Sequence, residues 1–468
     1  MNPNSSSFGF DSDFVLQALS LPARGAPQSF KTITTDSRKA GPGALFVAIP
    51  GDTHDGHDFI ESALKQGASG VLCRESYSWP ASANAIRFAV ADTIEAYRKL
   101  GGAWRRRFKI PLLAIAGSEG KTTTKELLSA ILKGRYAQVL KTTGSQNGFV
   151  GIPMTLLELR PEHGAAVIEI GIDEIGAMEK HIELVEPGFS VLTSIGPEHL
   201  EKLKDVPTVA REEGIALDWV ARSGGTVAVC LDDSWIAPAR DRLRGHMVLT
   251  YSLKSDADIR GELSADGGTL AVTAASWPRF ELQLPLLGRH NAMNLLSAIT
   301  LAHALGLTPD EIRSGLSQFK GAEGRSQVRE LPGPIAVVCD YYNANPTSMA
   351  AGFELLSVTA ARLGSNGTKT RQIAALADMR ELGPDEERFH RELASILLTR
   401  GIETVYLFGP KMKWLEDELR KKNFGGELRH FEDRASLAAA LKAQLKPGDA
   451  VLLKGSNSMK MEEVWKSL

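Results

Sequence analysis

The sequence has little of what would mark a secreted, redox-active or membrane-spanning protein. Only three of its 468 residues are cysteines, Cys73, Cys230 and Cys339. They lie far apart beside apolar neighbours, which excludes a paired metal or dithiol motif and favours buried free thiols in a reducing compartment. No apolar run approaches the ~20 residues that cross a bilayer. The first residues also lack the basic start and apolar core of a signal peptide, so we expect a cytoplasmic protein.

Neither sign of charge dominates the chain. It has 54 Lys and Arg residues against 56 Asp and Glu residues, a formal net charge of −2. This balance predicts no electrostatic attraction to nucleic acid or to an anionic membrane. The hydrophobic share of 43% and the charged share of 24% are typical of a folded globular protein. The length exceeds one ordinary core, so we expect about three domains.

Residues 112–126 have the layout of a phosphate-binding loop. An apolar run of strand length, Leu112–Ala116, is followed by Gly117-Ser118-Glu119-Gly120-Lys121-Thr122-Thr123 and then by a helix-forming segment. Glycines let backbone N–H groups approach phosphate oxygens, and the helix directs its positive end to the same place. Lys121 would reach the β- and γ-phosphates, and the Thr122 hydroxyl would bind Mg²⁺. Ile115 replaces the first glycine of the strict pattern, so an ordinary strand–turn–helix corner is the alternative.

Three further groups of polar residues follow in the central segment. Glu169 lies within a buried strand, and His199 follows the strand predicted at residues 189–196. A carboxylate in an apolar strand is costly unless it is paired or bound to metal, so Glu169 is either a metal ligand or a salt-bridged core residue. Asn291 and Asn294 are three positions apart on a predicted helix, where their carboxamides can face one purine. The alternative is a helix cap plus a surface asparagine.

The N-terminal segment reads as a small α/β domain with two polar clusters. Residues 34–38 offer hydroxyls and a guanidinium suited to a phosphorylated ligand. Residues 51–59 form a glycine-bounded loop, whose alternative interpretation is a turn with a helix cap at Asp58 and solvated histidines. The basic run Arg105–Arg107 is interpreted as a solvated helix end at a domain boundary.

The C-terminal segment alternates strands and helices in the manner of a doubly wound α/β domain. Strands are predicted at residues 335–340, 372–378, 404–408 and 450–454, and a loop at residues 364–367. No G-x-G-x-x-G follows the first of these strands, so nothing indicates NAD. The predicted architecture is therefore α/β throughout: a small α/β N-terminal domain (1–108), a central P-loop mononucleotide-binding domain with a parallel sheet (109–320), and a C-terminal Rossmann-like domain (321–468).

Taken together, these motifs resemble the Mur ligases in order and spacing. The similarity runs from Thr35-Asp36-Ser37-Arg38 to Lys454-Gly455-Ser456-Asn457-Ser458-Met459, which is nearly the whole chain. The stretch Asp340-x-Tyr342-Asn343-Ala344-Asn345-Pro346, with Ala377-Asp378-Met379-x-Glu381-Leu382-Gly383 and His390, resembles the branch that adds a dipeptide. The resemblance implies an ATP- and Mg²⁺-dependent amide ligase of peptidoglycan synthesis. Its substrates would be UDP-N-acetylmuramoyl-tripeptide and D-Ala-D-Ala, joined through an acyl phosphate, and we expect a monomer.

The resemblance also implies roles for individual residues. The nucleotide-binding set is Gly117, Ser118, Glu119, Gly120, Lys121, Thr122, Thr123, Asn291, Asn294, Arg325 and Asp340. The metal-binding set is Thr122, Glu169, His199 and Glu213, and the catalytic set is Lys121, Glu169, His199 and Glu213. The substrate-binding set is Ser37, Arg38, His54, Asp55, Gly56, His57, Phe59, Asn147, Tyr342, Asn343 and Asn345.

One departure from the family concerns Glu213. The family usually carries a carbamylated lysine a short distance after the His199 motif, and that position here is Glu213, with no lysine between Pro207 and Leu217. Our hypothesis is that Glu213 permanently supplies the carboxylate that CO₂ otherwise creates, since carboxylate oxygens suit Mg²⁺. The alternative is a solvated helix residue. Other functions left open are a sister amide ligase of the same superfamily and a non-catalytic nucleotide-binding scaffold.

Overall fold

A computed structural model describes residues 9–23, 26–51, 53–364 and 370–468. Its contacts divide the chain into two compact units. The first combines residues up to 112 with 136–170 and 180–186, and the second combines 113–135, 171–179 and 187–468. The division into three domains at residues 108 and 320 stays a prediction. Residues 365–367 of the expected loop lie outside the described residues.

The first unit begins with a small β-sheet and its connecting helices. Its strands and helices up to residue 108 are β1 (Phe10–Asp11), α1 (Ser12–Ala18), β2 (Ser29–Phe30), β3 (Thr32–Thr34), β4 (Ala44–Val47), α2 (Ile60–Lys65), β5 (Gly70–Arg74), β6 (Ile86–Val90) and α3 (Thr93–Arg105). Strands β3, β4, β5 and β6 pair in that order and all in parallel. Phe46, Ile60 and Val71 belong to the buried cluster between this sheet and helix α2.

The central part of the chain contributes nine strands and eight helices. In chain order they are β7 (Leu112–Ala116), α4 (Lys121–Leu132), β8 (Val139–Lys141), α5 (Gly151–Leu157), β9 (Ala165–Glu169), α6 (Ala177–Val185), β10 (Phe189–Leu192), α7 (Leu200–Leu203), α8 (Val206–Arg222), β11 (Thr226–Cys230), α9 (Ala239–Arg242), β12 (Met247–Ser252), β13 (Ile259–Leu263), β14 (Thr269–Ala274), β15 (Trp277–Gln283), α10 (Arg289–Ala304) and α11 (Pro309–Leu316). In the first unit, β8 and β9 pair in parallel.

In the second unit, β7, β10, β11, β12 and β13 form a parallel run, which β14 and β15 extend in antiparallel fashion. Every residue of β7 is buried, as expected for a central parallel strand covered on both faces. Helix α4 follows β7 directly, so the loop between them lies at the carboxyl end of the strand, where ligands bind in such sheets.

The C-terminal part forms a six-stranded sheet. Its elements are β16 (Gln327–Leu331), β17 (Ile335–Cys339), α12 (Pro346–Leu363), β18 (Gln372–Ala377), α13 (Glu386–Thr399), β19 (Thr404–Phe408), α14 (Met412–Lys421), β20 (Glu427–Phe431), α15 (Arg434–Gln444), β21 (Ala450–Lys454) and α16 (Glu462–Ser467). The order is β16-β17-β21-β18-β19-β20, parallel except for β16. Two buried apolar clusters, one containing Phe353 and the other Tyr406, hold helices to this sheet.

The predicted α/β class is confirmed, and so are the three buried free cysteines. The interpretation of Arg105–Arg107 as a solvated helix end is confirmed for Arg106 and Arg107, which are exposed just after α3 ends, but is wrong for Arg105, which is half-buried. Arg105 donates hydrogen bonds to the carbonyl oxygens of Val185 at 2.7 Å and Glu186 at 2.6 Å, and the Arg107 guanidinium lies 4.6 Å from the centre of the Phe14 ring. Within the residues described, no helix is long and apolar enough to cross a membrane.

Candidate active site

The loop between β7 and α4 has the backbone geometry that a phosphate-binding loop requires. Gly117 has φ +111° and Gly120, the N-cap of α4, has φ +81°. A Cβ atom at Gly117 would lie 2.7 Å from the Thr193 hydroxyl oxygen, and one at Gly120 would lie 2.3 Å from Asn294 Oδ1. Both positions therefore need glycine, for conformation and for space. The 12-residue helix α4 begins at Lys121, so its N-terminal N–H groups face the end of this loop.

Three successive backbone N–H groups of the loop donate hydrogen bonds to other residues of the protein. The Gly117 N–H donates to Glu213 Oε2 at 2.8 Å. The Ser118 N–H donates to the Ser194 carbonyl oxygen at 2.8 Å, and the Glu119 N–H donates to the Ser194 hydroxyl at 3.1 Å. The loop is thus anchored to the chain that follows β10. Any phosphate contact through loop amides would then come from the helical end, residues 120–123.

A buried cluster of charges lies beside the loop. Lys121 Nζ is 3.4 Å from Glu198 Oε2 and donates to the Ser118 carbonyl oxygen at 3.1 Å. Glu213 is fully buried, so the alternative of a solvated helix residue is wrong. Burial, and next the negative charge of Glu198, raise the pKa of Glu213 well above its ordinary value.

The chemistry of this cluster suits a cation. Among the described residues, Oε1 of Glu198 and Oε1 of Glu213 are buried with no hydrogen-bond donor from the protein, and the two carboxyl groups lie within hydrogen-bond reach of each other. Two buried carboxylate oxygens in that state suit a divalent cation, which would replace the missing partners. No group of three or more His, Cys, Asp or Glu side chains in the described ranges is arranged to hold a metal. Mg²⁺ usually binds through one or two carboxylates plus phosphate and water, so a larger group is not required.

His199 lies at the start of α7 and is paired with a residue from the C-terminal part. Its Nδ1 is 2.7 Å from Glu381 Oε2. The hydrogen bond with Glu381 raises the pKa of His199 above its usual range, and the same contact lowers the pKa of Glu381. Both groups therefore favour the charged ion pair.

The two asparagines of α10 are buried and lie close to the phosphate loop. The Asn291 amide donates to the Leu287 carbonyl oxygen at 2.7 Å, and the Asn294 amide donates to Asn291 Oδ1 at 3.4 Å. Asn294 Oδ1 faces Gly120. The alternative of a surface asparagine is wrong, since Asn294 is only 8% exposed. A role in binding adenine stays a prediction.

Asp340 follows β17 and is held by a buried lysine that the sequence analysis did not assign. Lys454 Nζ donates to Asp340 Oδ2 at 2.6 Å, and the Ser326 N–H donates to Asp340 Oδ1 at 2.9 Å. Burial alone would raise the pKa of Asp340, but the charge and hydrogen bond of Lys454, together with His290 and the Ser326 N–H, hold the pKa below its ordinary value. Nearby, the Arg325 guanidinium lies 3.9 Å from the centre of the Tyr342 ring.

The loop after β17 contacts the phosphate-binding loop through Glu119. Asn345 is the N-cap of α12 and accepts a hydrogen bond from the Ser348 N–H at 2.8 Å. Its side chain also hydrogen-bonds to the Glu119 carboxylate, whose Oε1 is buried. Burial raises the pKa of Glu119 to about 7, although the Lys454 charge opposes this. The Lys454 ammonium also donates to the Asn343 carbonyl oxygen at 3.1 Å, so it fixes both ends of this loop.

Glu169 belongs to the first unit. Its Oε1 accepts a hydrogen bond from the Asn147 amide at 2.8 Å, and its N–H donates to the Thr142 hydroxyl at 3.0 Å. The structure therefore brings two predicted site residues, Glu169 and Asn147, together at the end of β9.

The N-terminal polar clusters are ordered by their own hydrogen bonds. Arg38 donates twice to Asp36, at 2.9 Å each, and its side chain is 86% exposed, so the guanidinium is presented to solvent beside Ser37. The interpretation of the 51–59 loop as having solvated histidines and an Asp58 cap is confirmed for His54, which is exposed, but is wrong for His57 and for the cap. His57 is buried, its Nε2 accepts from the Arg74 N–H at 3.0 Å, and the side chain that caps the short 3₁₀ helix is that of Asp55.

Packing fixes three further residues of this loop that the sequence predicts to bind substrate. The His54 and Phe59 rings meet edge to face at 6.2 Å. Gly56 lies so close to Ile49 that a Cβ atom would be 2.6 Å from its backbone nitrogen. Glycine is thus required where this loop returns to the sheet.

The sequence did not predict an individual role for four residues of the site. They are Glu198, Glu381, Lys454 and Ser194. Glu198 carried a signal, because it directly precedes His199 after a buried strand. Glu381 and Lys454 lie more than 100 residues from the partners they bind in space, His199 and Asp340. Motif spacing along the chain does not reveal such pairs.

Comparison with known families gives three matches along the chain. Residues 29–103 match the model described as "Mur ligase family, catalytic domain", residues 115–302 the "Mur ligase middle domain", and residues 324–457 the "Mur ligase, glutamate ligase domain". Each match falls within one of the three predicted segments.

Relatives and solved structures agree over nearly the whole length. The chain is 33% identical to a UDP-N-acetylmuramoyl-tripeptide–D-alanyl-D-alanine ligase from Synechocystis, covering 91% of this chain and 89% of the relative. It is 30% identical to the enzyme of that name from Escherichia coli, covering 95% of each. Among solved structures, MurF from Acinetobacter baumannii has a TM-score of 0.85 at 27% identity and 98% coverage of both chains. MurF from Thermotoga maritima, in complex with ADP, has a TM-score of 0.80 at 25% identity, covering 93% of this chain and 96% of that one.

Proposed function

Because the chain belongs to the Mur ligase family, we propose that it joins D-alanyl-D-alanine to UDP-N-acetylmuramoyl-tripeptide with hydrolysis of ATP to ADP and phosphate. The observation that carries this proposal is the near-complete coverage of relatives that bear this name, from one end of each chain to the other. Two observations support the proposal: the geometry of the loop of residues 117–123, and the hydrogen bond from Asn345 of the C-terminal part to Glu119 in that loop.

The reaction has two steps. The terminal carboxylate of the tripeptide attacks the γ-phosphorus of ATP, ADP leaves, and an acyl phosphate forms. The amine of the dipeptide then attacks the acyl carbon, and phosphate leaves as the amide bond forms. The first step depends on positioning and charge neutralisation. We assign that neutralisation to the Lys121 ammonium and to the N-terminal N–H groups of α4.

We propose that the enzyme uses Mg²⁺ bound among the predicted ligands Thr122, Glu169, His199 and Glu213. The buried oxygens of Glu198 and Glu213 support a cation beside Lys121, so we add Glu198 to this set. When bound, Mg²⁺ supplies positive charge to the phosphate oxygens. Glu213 also holds the Gly117 N–H, so it fixes the loop whether or not a cation is present.

The remaining residues are assigned to the adenine, the dipeptide and the UDP-sugar. We assign Asn291 and Asn294 to the adenine, with Asp340 and Arg325 contributing from the C-terminal part. Tyr342, Asn343 and Asn345 are assigned to the dipeptide. The exposed Arg38 with Ser37 and the loop of residues 54–59 are assigned to the UDP-sugar end, where a guanidinium suits a diphosphate. We further propose that the enzyme acts as a monomer in the cytoplasm, where its nucleotide substrates are made.

A mass measurement tests this proposal. The protein is incubated with ATP, Mg²⁺, UDP-N-acetylmuramoyl-tripeptide and D-Ala-D-Ala, and the nucleotide-sugar product is analysed by mass spectrometry. We expect a product heavier than the tripeptide by one dipeptide less one water. A product formed with a single amino acid and not with the dipeptide would move the assignment to another ligase of the family.

A further inference from the structure

The ion pair between His199 and Glu381 joins two strained positions. His199 has φ +46° and Glu381 has φ +64°, in the left-handed region that non-glycine residues seldom adopt. Such backbone costs free energy and persists only where the surrounding structure enforces it. The 2.7 Å contact therefore joins two side chains, 37% and 60% exposed, whose backbones are both held in this region.

The segment that carries Glu381 is fixed residue by residue. We define it as the 378–383 loop. The Asp378 carboxylate accepts from the N–H groups of Lys411 and Met412 at 3.0 and 3.1 Å. The next residue, Met379, donates its N–H to His390 Nε2 at 3.1 Å. Three consecutive residues before Glu381 are held, because the Arg380 N–H donates to the Ser456 hydroxyl at 2.9 Å.

The state of His390 explains why that support is stable. Its Nδ1 lies 2.6 Å from the Glu386 carbonyl oxygen, which can only accept, so Nδ1 carries the proton and Nε2 accepts from Met379. Burial lowers the pKa of His390, which keeps the ring in this neutral form. The loop thus presents Glu381 from a preformed scaffold in the C-terminal part.

The same loop also packs against the start of α7. Gly383 has φ +65°, and a Cβ atom there would lie 3.5 Å from the backbone of Leu200 and of Glu201. A second contact lies close by, where a Cβ atom at Gly196 would be 3.1 Å from the Thr347 hydroxyl oxygen. The segment 196–201 is therefore covered by residues of the C-terminal part.

We propose that Glu381 is a positioning residue. Its carboxylate orients the His199 ring and thereby holds the 378–383 loop against His199. A carboxylate bound to one ring nitrogen of histidine fixes its tautomer and its orientation. His199 would then be correctly oriented only while the C-terminal part is docked on residues 196–201. This inference rests on the proposed function for the role of His199 in the reaction, and the docking itself does not depend on it.

The first test is a double-mutant cycle on kcat/KM. Variants Glu381→Ala and Glu381→Gln are compared with Glu387→Gln, a control on α13 whose side chain pairs with Arg391 at 2.8 Å on the surface. We expect Glu381→Ala to lower kcat about tenfold with KM for ATP changed less than twofold, and the control to be unaffected. In a His199→Ala background, Glu381→Ala should cause no further loss. An equal loss in both backgrounds would overturn the proposal.

The second test needs no substrate. A Cβ atom at Gly196 would lie 4.0 Å from Thr347 Cβ, which suits a disulfide. Gly196 is not at a positive φ, and the native cysteines are buried, so Gly196→Cys with Thr347→Cys gives a reporter of docking. Adding Glu381→Ala should slow disulfide formation at least threefold, whereas Glu387→Gln should not. An unchanged rate would overturn the proposal. This result stands even if the proposed dipeptide ligase activity is not found.

Discussion

The Glu213 carboxylate accepts a hydrogen bond from the Gly117 N–H at 2.8 Å, within the phosphate-binding loop itself. The carboxylate at the position where the family usually carries lysine is therefore bound to this loop rather than solvated at the surface. It is fully buried and lies beside the Lys121–Glu198 pair. Glu213 thus holds the loop through a hydrogen bond, and the proposed function gives it a second, separable task, to supply negative charge next to a bound cation.

Glu213→Gln separates those tasks. Glutamine keeps an oxygen that can accept from Gly117, so we expect a folded protein whose kcat/KM falls at least 100-fold because the charge is lost. The Mg²⁺ concentration that gives half-maximal activity should also rise. The measurement is ADP formation as a function of Mg²⁺ concentration.

Glu212→Gln is the matched control for this substitution. Glu212 is buried on the same helix and accepts from the Gly176 N–H at 2.8 Å, outside the phosphate loop. It should keep activity within about threefold. Equal losses for the two variants would show that Glu213 matters only as a buried hydrogen-bond acceptor. Glu213→Lys offers a further check, because it should depend on added bicarbonate.

Gly120 tests the loop geometry. Its φ of +81° and the 2.3 Å approach of a built Cβ to Asn294 Oδ1 mean that Gly120→Ala must displace the loop or the asparagine. We expect ATP affinity to fall at least tenfold. Gly188→Ala is the control, since a Cβ there would meet no described atom within 4 Å. Titration with a fluorescent ATP analogue measures both, and equal affinities for the two variants would contradict this account.

The raised pKa of Glu119 predicts that the free energy of unfolding depends on pH. Its pKa is raised from 4.5 to about 7 by burial, so between these values the folded state holds a proton that the unfolded state has lost. Stability contributed at this site therefore falls as pH rises from 4.5 to 7 and stays low above pH 7. Glu119→Gln removes the penalty and should gain up to about 3 kcal/mol over the parent at pH 8, with little gain at pH 4.5. Urea unfolding at both pH values measures this, and a gain independent of pH would contradict it.

The ion pair between Lys454 and Asp340 predicts that substitutions of the two residues change the free energy of unfolding non-additively. Lys454 is 2% exposed, so Lys454→Met leaves the Asp340 carboxylate buried without its counter-charge. We expect a loss of about 3–5 kcal/mol of stability. Adding Asp340→Asn should recover part of it, because the unpaired charge disappears. Denaturant unfolding of the single and double variants measures the coupling, and strictly additive losses would argue against it.

The sequence predicted several of the parallel strands, such as β7, β17, β19 and β21, because each of these is a short apolar run that is buried throughout. Strand β19, residues 404–408, and strand β21, residues 450–454, were predicted with the bounds that the structure has. Strands β13 to β15, which pair with one another in antiparallel fashion, were not predicted, since their partly exposed residues give a weaker pattern. The α/β class and the family were predicted correctly from motif order.

Tertiary contacts explain what the sequence could not predict. Burial of His57 follows from its bond to the Arg74 N–H, 17 residues away, and nothing local distinguishes it from a solvated histidine. Glu381 and Lys454 act through partners on other elements. The assignments of the remaining site residues to adenine, dipeptide and UDP-sugar stay predictions.

The most direct test of ligase function is phosphate release from ATP, with each substrate omitted in turn. The full mixture contains Mg²⁺, UDP-N-acetylmuramoyl-tripeptide and D-Ala-D-Ala, and Lys121→Ala serves as the inactive control. We predict steady release only when both substrates are present, at least 100-fold above Lys121→Ala. Release that is indifferent to D-Ala-D-Ala, or none despite measurable ATP binding, would contradict the proposed function.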